Sequence, residues 1–285
     1  MRRRDLILGA TCGLLRAAEA QPVLYSGERW DKPFLYPIRT LAGKTISRGW
    51  PLEPRAGDSE DHEWHRGFWY GHGDINGADF WREQGRDKTA RLVARAAPEQ
   101  SRHGAAIELA MTPPGGKAMG SMRQEFRFTD TRDARLLDAT ITIRADAGQA
   151  LRFGDTDDGG FAFRLSEAFR EDRGARLRNS EGRTGTKEIW GKPARWTDFS
   201  AEVGGGRAGV ALFDHPSNLR HPTRWHARGY GLNAANPFAL KSFTRDPAAE
   251  GSYTLPAGKA LTLRYRAAIY DGEPDLERLW NEFAR

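Results

Sequence analysis

The sequence predicts an all-β protein, a large antiparallel β-sandwich carrying one C-terminal helix. Three observations lead there. Apolar and polar residues alternate with period two along much of the chain, the mark of half-buried strands. Turn clusters such as Pro113-Pro114-Gly115-Gly116, Asp157-Asp158-Gly159-Gly160 and Asp271-Gly272 interrupt that alternation. Strand-like segments do not alternate with helical ones, which disfavours a doubly wound parallel sheet.

Residues 1–20 read as an export signal. Arg2-Arg3-Arg4 forms a basic start, Leu6-Ile7-Leu8 opens a short apolar core, and Ala18-Glu19-Ala20 is an A-x-A cleavage site. Arg3-Arg4-Asp5-Leu6-Ile7 fits the twin-arginine pattern, so a periplasmic or secreted protein starting at Gln21 is expected. Beyond it, alternation predicts strands over residues 34–41, 91–96, 105–111, 124–128, 136–144, 160–165, 208–213 and 261–270. The stretch 136–144 is the clearest, with Leu137, Ala139, Ile141 and Ile143 on one face and Asp138, Thr140 and Thr142 on the other. The segment 275–283 is helical, because Leu276, Leu279, Trp280 and Phe283 recur at spacings of three and four. No linker, repeat or low-complexity run divides residues 21–285, so a single sandwich domain is expected.

Composition narrows the function classes. With 285 residues, 39% hydrophobic and 29% charged, the chain is neither disordered, collagenous nor coiled-coil. Its one long apolar run, residues 6–15, is too short to span a bilayer. The single cysteine, Cys12, lies in the signal, which excludes disulfides, thiolate nucleophiles and cysteine-ligated metals from the mature chain. The net charge of +6 is spread among acidic residues rather than gathered into a basic run, which argues against nucleic acid.

Six of the seven histidines fall in two windows rich in glycine, proline and asparagine. The first, residues 61–81, carries His62, His65 and His72 with Arg66, Trp69, Asp74 and Asn76. The second, residues 214–238, carries His215, His221 and His226 with Asn218, Arg228 and Tyr230. Both read as loops, where a rigid scaffold commonly holds functional groups. Imidazole exchanges protons near neutral pH, and arginine and asparagine match carboxylates and hydroxyls. Indole faces stack on sugar rings. This mixture suits a polyhydroxylated ligand, and the two windows are expected to converge on one pocket. His65, His72 and His226 are the candidate acid–base groups, with Asp74 orienting His72, whose ring the following Gly73-Asp74 would leave exposed. His62, Arg66, Trp69, Asn76, His215, Asn218, Arg228 and Tyr230 are the candidate substrate contacts. Each histidine taken singly reads more readily as a hydrogen-bonded anchor. Asp155, Asp157 and Asp158 read first as a solvated acidic turn, and no G-x-S-x-G nucleophile motif occurs.

Several of these segments also resemble a bacterial family of unknown function that carries the label methane oxygenase PmoA. The resembling runs are Lys32-Pro33-Phe34-Leu35-Tyr36-Pro37, His65-Arg66-Gly67 with Trp69, and residues 72–81. Trp190-Gly191 with Trp196, residues 214–218 and residues 225–231 complete them. The resemblance covers most of the mature chain and implies an exported β-sandwich associated with sugar catabolism. It does not imply methane oxidation, whose subunit of that name spans the membrane several times. Relatives often carry Lys-Glu-Gly where Asp157-Asp158-Gly159 stands here.

The leading expectation is an exported carbohydrate-active enzyme on a sandwich like that of the galactose mutarotases, working by histidine acid–base catalysis on a small-molecule or oligosaccharide substrate. A non-catalytic sugar-binding protein is the first alternative. A metal-dependent enzyme is the second, using His62, His65 and either His72 or His226 with Asp61 or Asp74. No cofactor is otherwise expected.

Overall fold

Two antiparallel sheets face each other in the computed structural model, which describes residues 21–85 and 88–285. The expected signal peptide lies outside the described residues. In chain order the strands are β1 (Val23–Tyr25), β2 (Phe34–Tyr36), β3 (Phe68–His72), β4 (Arg91–Ala94), β5 (Glu99–Ser101), β6 (Gly104–Thr112), β7 (Gly120–Asp130) and β8 (Arg135–Arg144). They continue as β9 (Leu151–Phe153), β10 (Gly159–Arg164), β11 (Arg176–Asn179), β12 (Trp196–Val203), β13 (Gly206–Asp214), β14 (Arg224–Trp225), β15 (Leu232–Asn236), β16 (Tyr253–Leu255) and β17 (Ala260–Asp271). The helices are α1 (Thr186–Ile189), α2 (Lys241–Thr244) and α3 (Leu276–Phe283), with single 3-10 turns at Glu167–Phe169 and Glu171–Arg173.

The smaller sheet has the order β1-β2-β3-β10-β15-β14, and the larger runs β11-β12-β13-β17-β8-β7-β6-β4 with β5 paired to β6. Alternation decides which side chains meet between them. Phe68, Tyr70, Phe161, Phe163 and Ala235 from the smaller sheet share one core with Ile107, Leu109, Ile141, Val210, Leu263 and Tyr265 from the larger. The sheets touch through rings, Phe161 stacking on Tyr265 at 5.4 Å and Phe163 meeting Phe199 edge-on at 5.9 Å. The protein is therefore an antiparallel β-sandwich.

The outer faces are covered differently. On the larger sheet, Leu276 and Leu279 of α3 pack against Leu136, Phe213, Ala268 and Tyr270. The Asp275 carboxylate caps α3, accepting from the Arg278 amide at 3.0 Å. Loops cover the smaller sheet instead, so β2, β3, β10 and β15 are buried along their whole lengths.

The eight expected strands and the helix are all present, but the strand expected over 34–41 shrinks to three residues. The windows expected as loops contain β3, β14 and β15. No helix among the described residues is long and apolar enough to cross a membrane.

Candidate functional site

Outward-pointing residues of the smaller sheet build an aromatic floor. Phe34, Tyr36, Trp69, Ala162, Leu232 and Ala234 cluster with Trp81, while Trp64 and Tyr230 lean over them from the loops. His65 lies within this cluster. Its ring stacks on Trp69 at 5.0 Å and on His62 at 5.0 Å, and meets Trp81 edge-on at 5.6 Å. His62 in turn stacks on Tyr230 at 6.0 Å, which is where the two sequence windows meet. Burial first, then the nearby Arg164 charge, holds the His65 pKa well below the usual range, so the ring is neutral. Among the described residues neither of its nitrogens has a partner, nor do the indole nitrogens of Trp64 and Trp69. Buried polar atoms without partners are uncommon and mark places where a ligand or solvent is expected to bond.

A charged frame anchors this face. Arg48 and Arg164, both fully buried, converge on the Asp61 carboxylate at 2.6 and 3.0 Å. Burial would raise the Asp61 pKa, but Arg164, the His62 hydrogen bond and Arg48 together pull it down to about 2. The Arg164 guanidinium also sits 4.4 Å from the Tyr230 ring centre, a cation–π contact that fixes the ring. His62 adopts a left-handed backbone (φ 42°), uncommon for a side chain of its kind.

Beside Tyr230 lies the second half of the site. His226 leaves β14 into the turn before β15 and is mostly buried. Its Nδ1 is 2.7 Å from the Asp157 carbonyl oxygen. A carbonyl only accepts, so Nδ1 carries the hydrogen and Nε2 keeps its lone pair. The Asp157 carboxylate lies 3.9 Å from Nε2 and the Asp158 carboxylate 3.8 Å from Nδ1. Burial lowers the His226 pKa, opposed by Asp157 and Asp158, and raises that of Asp158 despite its ion pair with Arg82. The turn holding these carboxylates is built in: Asn236 donates to the carbonyls of Thr156 and Asp157 at 2.9 and 3.1 Å. Asp155 accepts the amides of Leu240, Lys241, Ser242 and Gly251 at 2.6–3.1 Å.

An open pocket of about 580 Å³ is lined by Trp190, Arg228, Tyr230, Lys187 and the 170–172 turn, and Trp190 separates it from His226. Trp190 stands 6.4 Å edge-on to His226. A larger groove of about 680 Å³ crosses the outer face of the larger sheet near His103. Three of its charged groups are spoken for, Arg123 by Glu108 and Glu125 and Asp138 by Arg266, and the histidine that lines it, His103, is exposed rather than set against aromatic rings. The chemistry therefore points to the smaller pocket.

Of the expected site residues, His62, His65, Trp69, His226, Arg228 and Tyr230 lie on or beside this face. The others do not. His72 is fully buried rather than exposed, its ring 5.0 Å from Phe238 and 5.5 Å from Phe153, with Nε2 3.0 Å from the Gly154 carbonyl. Along β3, residues 68, 70 and 72 share one parity, so His72 points into the layer between the sheets. Asp74 and Asn76 build the turn that follows: Asp74 accepts the Gly77 amide at 2.8 Å, and Asn76 bridges Ala150 and Arg152. Arg66 is spent in a bidentate pair with Glu83, both bonds 2.7 Å, against Trp30 at 4.4 Å. Lys32 joins this pair, donating to the Trp81 carbonyl at 2.7 Å, and burial pushes its pKa down to about 8. His215 bonds Ser217 and abuts Phe283 of α3, while Asn218 braces Asp214 and the Arg264 backbone.

The set expected for a metal also comes apart. His62 and His65 stack in parallel, 4° apart, and His72 faces the core. Among the described residues no group of three or more His, Cys, Asp or Glu side chains is placed to hold a metal ion. Sequence reasoning missed Arg82, Lys187 and Glu83 and undervalued Asp157 and Asp158. The proximity of Asp157-Asp158 to Gly159-Gly160, a turn entering a strand, was the available signal.

Fold and site together define a β-sandwich protein with a histidine-bearing aromatic face on its smaller sheet. The chain belongs to a family of unknown function, DUF6807, whose profile matches residues 25–284. None of the curated proteins matches it. Among solved structures, it overlays on a galactose mutarotase related enzyme from Lactobacillus acidophilus at 8% identity and a TM-score of 0.44, covering 87% of this chain and 97% of that one. It also overlays on a polysaccharide lyase at 11% identity and a TM-score of 0.41, covering 92% of this chain and 34% of that one. At these scores the overlays assign no activity.

Proposed function

We propose that the protein is an exported carbohydrate-active enzyme whose site is the pocket lined by Trp190, Arg228 and Tyr230, with His226 at its edge against Trp190. One observation carries this reading: His226 is locked as a neutral imidazole, with Nδ1–H on the Asp157 carbonyl and Nε2 left as a base beside an aromatic pocket. In this role Nε2 takes a proton from a sugar hydroxyl or carbon, and the Asp157 carboxylate stabilises the imidazolium that forms. Trp190 and Tyr230 offer faces for sugar rings. Arg82 holds Asp158 as the inner counter-charge. Asp157 and Asp158 thus replace Asp74 as the carboxylates serving a histidine.

The test is a saccharide screen by thermal shift, followed by NMR detection of turnover for each binder. His226→Gln keeps a donor for the Asp157 carbonyl and removes the base, so turnover is expected to fall by roughly a hundredfold or more. Undiminished turnover in that variant removes His226 from the chemistry. Binding without turnover in the native protein makes it a sugar-binding protein instead. Export belongs to the same proposal: replacing Arg3 and Arg4 with lysine is expected to retain precursor in the cytoplasm, and N-terminal sequencing of native protein to begin at Gln21.

A further inference from the structure

We propose that the sugar bound at this pocket carries a carboxylate, as in a uronic acid unit, and that Arg228 and Lys187 receive it. The inference rests on the reading of the pocket as a saccharide site and adds the charge of the ligand.

The pocket wall holds three cationic side chains, Arg170, Lys187 and Arg228, and two carboxylates, Glu171 and Asp172. Both carboxylates are occupied. Glu171 accepts the Thr186 amide at 3.0 and 3.2 Å and bonds the Thr186 hydroxyl, which ties the 170–172 turn to α1. Asp172 forms a bidentate pair with Arg170 at 2.7 and 2.9 Å. Arg228 and Lys187 are left with no ion pair and no side-chain hydrogen bond among the described residues.

Arg228 is also held in place. Its amide donates to the Leu232 carbonyl at 2.8 Å and its carbonyl accepts from the Gly231 amide at 2.9 Å, closing a turn that fixes its backbone beside Tyr230. The guanidinium lies 5.9 Å from the Tyr230 ring centre, so a ring stacked on Tyr230 would present its substituents to Arg228. Arg164, on the same ring, is fully buried and does not line the pocket, so it does not compete. A neutral sugar would displace water from two cations and leave them uncompensated, whereas a carboxylate matches the guanidinium fork with two parallel hydrogen bonds. The pocket volume is within the range of small-ligand sites.

The experiment is a calorimetric titration with di- to tetrasaccharides of galacturonic and glucuronic acid, their neutral galactose and glucose counterparts, and a hexose phosphate. Native protein, Arg228→Gln and Lys187→Gln are compared at low and high salt. The acidic oligomers are expected to bind at least tenfold more tightly than the neutral ones, with the preference shrinking as salt rises. In Arg228→Gln that preference should collapse to within about twofold, and in Lys187→Gln, an exposed position that cannot disturb the core, it should fall part of the way. Neutral oligomers binding as well as acidic ones overturns the carboxylate assignment while the saccharide reading stands. Preference for the hexose phosphate also overturns it. Failure of every saccharide to bind overturns both.

Discussion

The buried imidazole of His72 makes the stability of the fold pH-dependent in a calculable way. Burial pushes its pKa from the usual 6.5 down to about 4, partly offset by the hydrogen bond to the Gly154 carbonyl. The unfolded chain therefore takes up the proton first. Stability is intact above pH 6.5 and lost as the pH falls through the interval to 4. At about 1.36 kcal/mol per pKa unit, this one group costs about 2 kcal/mol by pH 5 and about 3 kcal/mol by pH 4. His72→Leu fills similar space and does not titrate. It leaves the Gly154 carbonyl unpaired, which lowers stability by roughly 1–3 kcal/mol at neutral pH. Urea unfolding followed by tryptophan fluorescence at pH 4, 5, 6, 7 and 8 gives the two curves. Their difference should shrink by about 2 kcal/mol between pH 7 and 5, and the comparison cancels His65, which titrates in the same direction in both proteins. Parallel curves would refute a neutral, sequestered His72 and return the ring to the list of solvent-facing bases.

Two further outcomes follow from the packing behind the site. Glu83→Gln removes the carboxylate that pairs with both Arg66 and Lys32 and strands two buried cations, so about 3–5 kcal/mol should be lost, read as a drop in melting temperature of roughly 10 °C. Gly71→Ala forces a methyl group to within 2.8 Å of the Phe80 carbonyl, so overpacking of roughly 1–3 kcal/mol is expected in urea titrations, and an unchanged midpoint would show that the 79–82 segment does not rest on β3.

How far the sequence could be read depended on what each sheet faces. The larger sheet has solvent on much of its outer side, so β6 and β8 alternate buried and part-exposed residues along most of their length, and these were legible. The smaller sheet is buried on both sides, so β3 runs Phe-Trp-Tyr-Gly-His with no polar partner to mark its period, and it passed for loop. The same blindness misplaced the histidines. Without β3, the parity that joins His72 to Phe68 and Tyr70 was hidden, and Gly73-Asp74 suggested exposure. The second window broke in two for a related reason. His215, Asn218 and His221 precede β14 and serve the side facing α3, where His221 bonds Asp214 at 2.7 Å and stacks on Trp280, while His226 and Tyr230 follow β14 and reach the other side of the sandwich. Residue types pointed to a ligand face; only the strand between them decided which histidines share it.

The site depends on an absence of side chains at the centre of the smaller sheet. Gly71 of β3 and Gly160 of β10 are register partners, and each points outward by the parity of Trp69 and Ala162. A Cβ at Gly71 would meet the Phe80 carbonyl and the Trp81 ring, so the 79–82 segment can cross β3 only because that position is bare. The crossing is what brings Trp81 onto Trp69 and His65, and Arg82 onto Asp79 and Asp158. At Gly160 the backbone runs at φ 97°, a conformation side chains rarely adopt, and a Cβ there would collide with the Ala235 carbonyl that β10 must approach. That approach puts Asp157 and Asp158, at the mouth of β10, over His226, whose amide is pinned to Ala234 of β15 at 2.9 Å. Two glycines thus set both the aromatic floor and the imidazole–carboxylate pair in place. The two bare positions lie side by side on β3 and β10, the strands at the centre of the smaller sheet's order, so a side chain at either would disturb both.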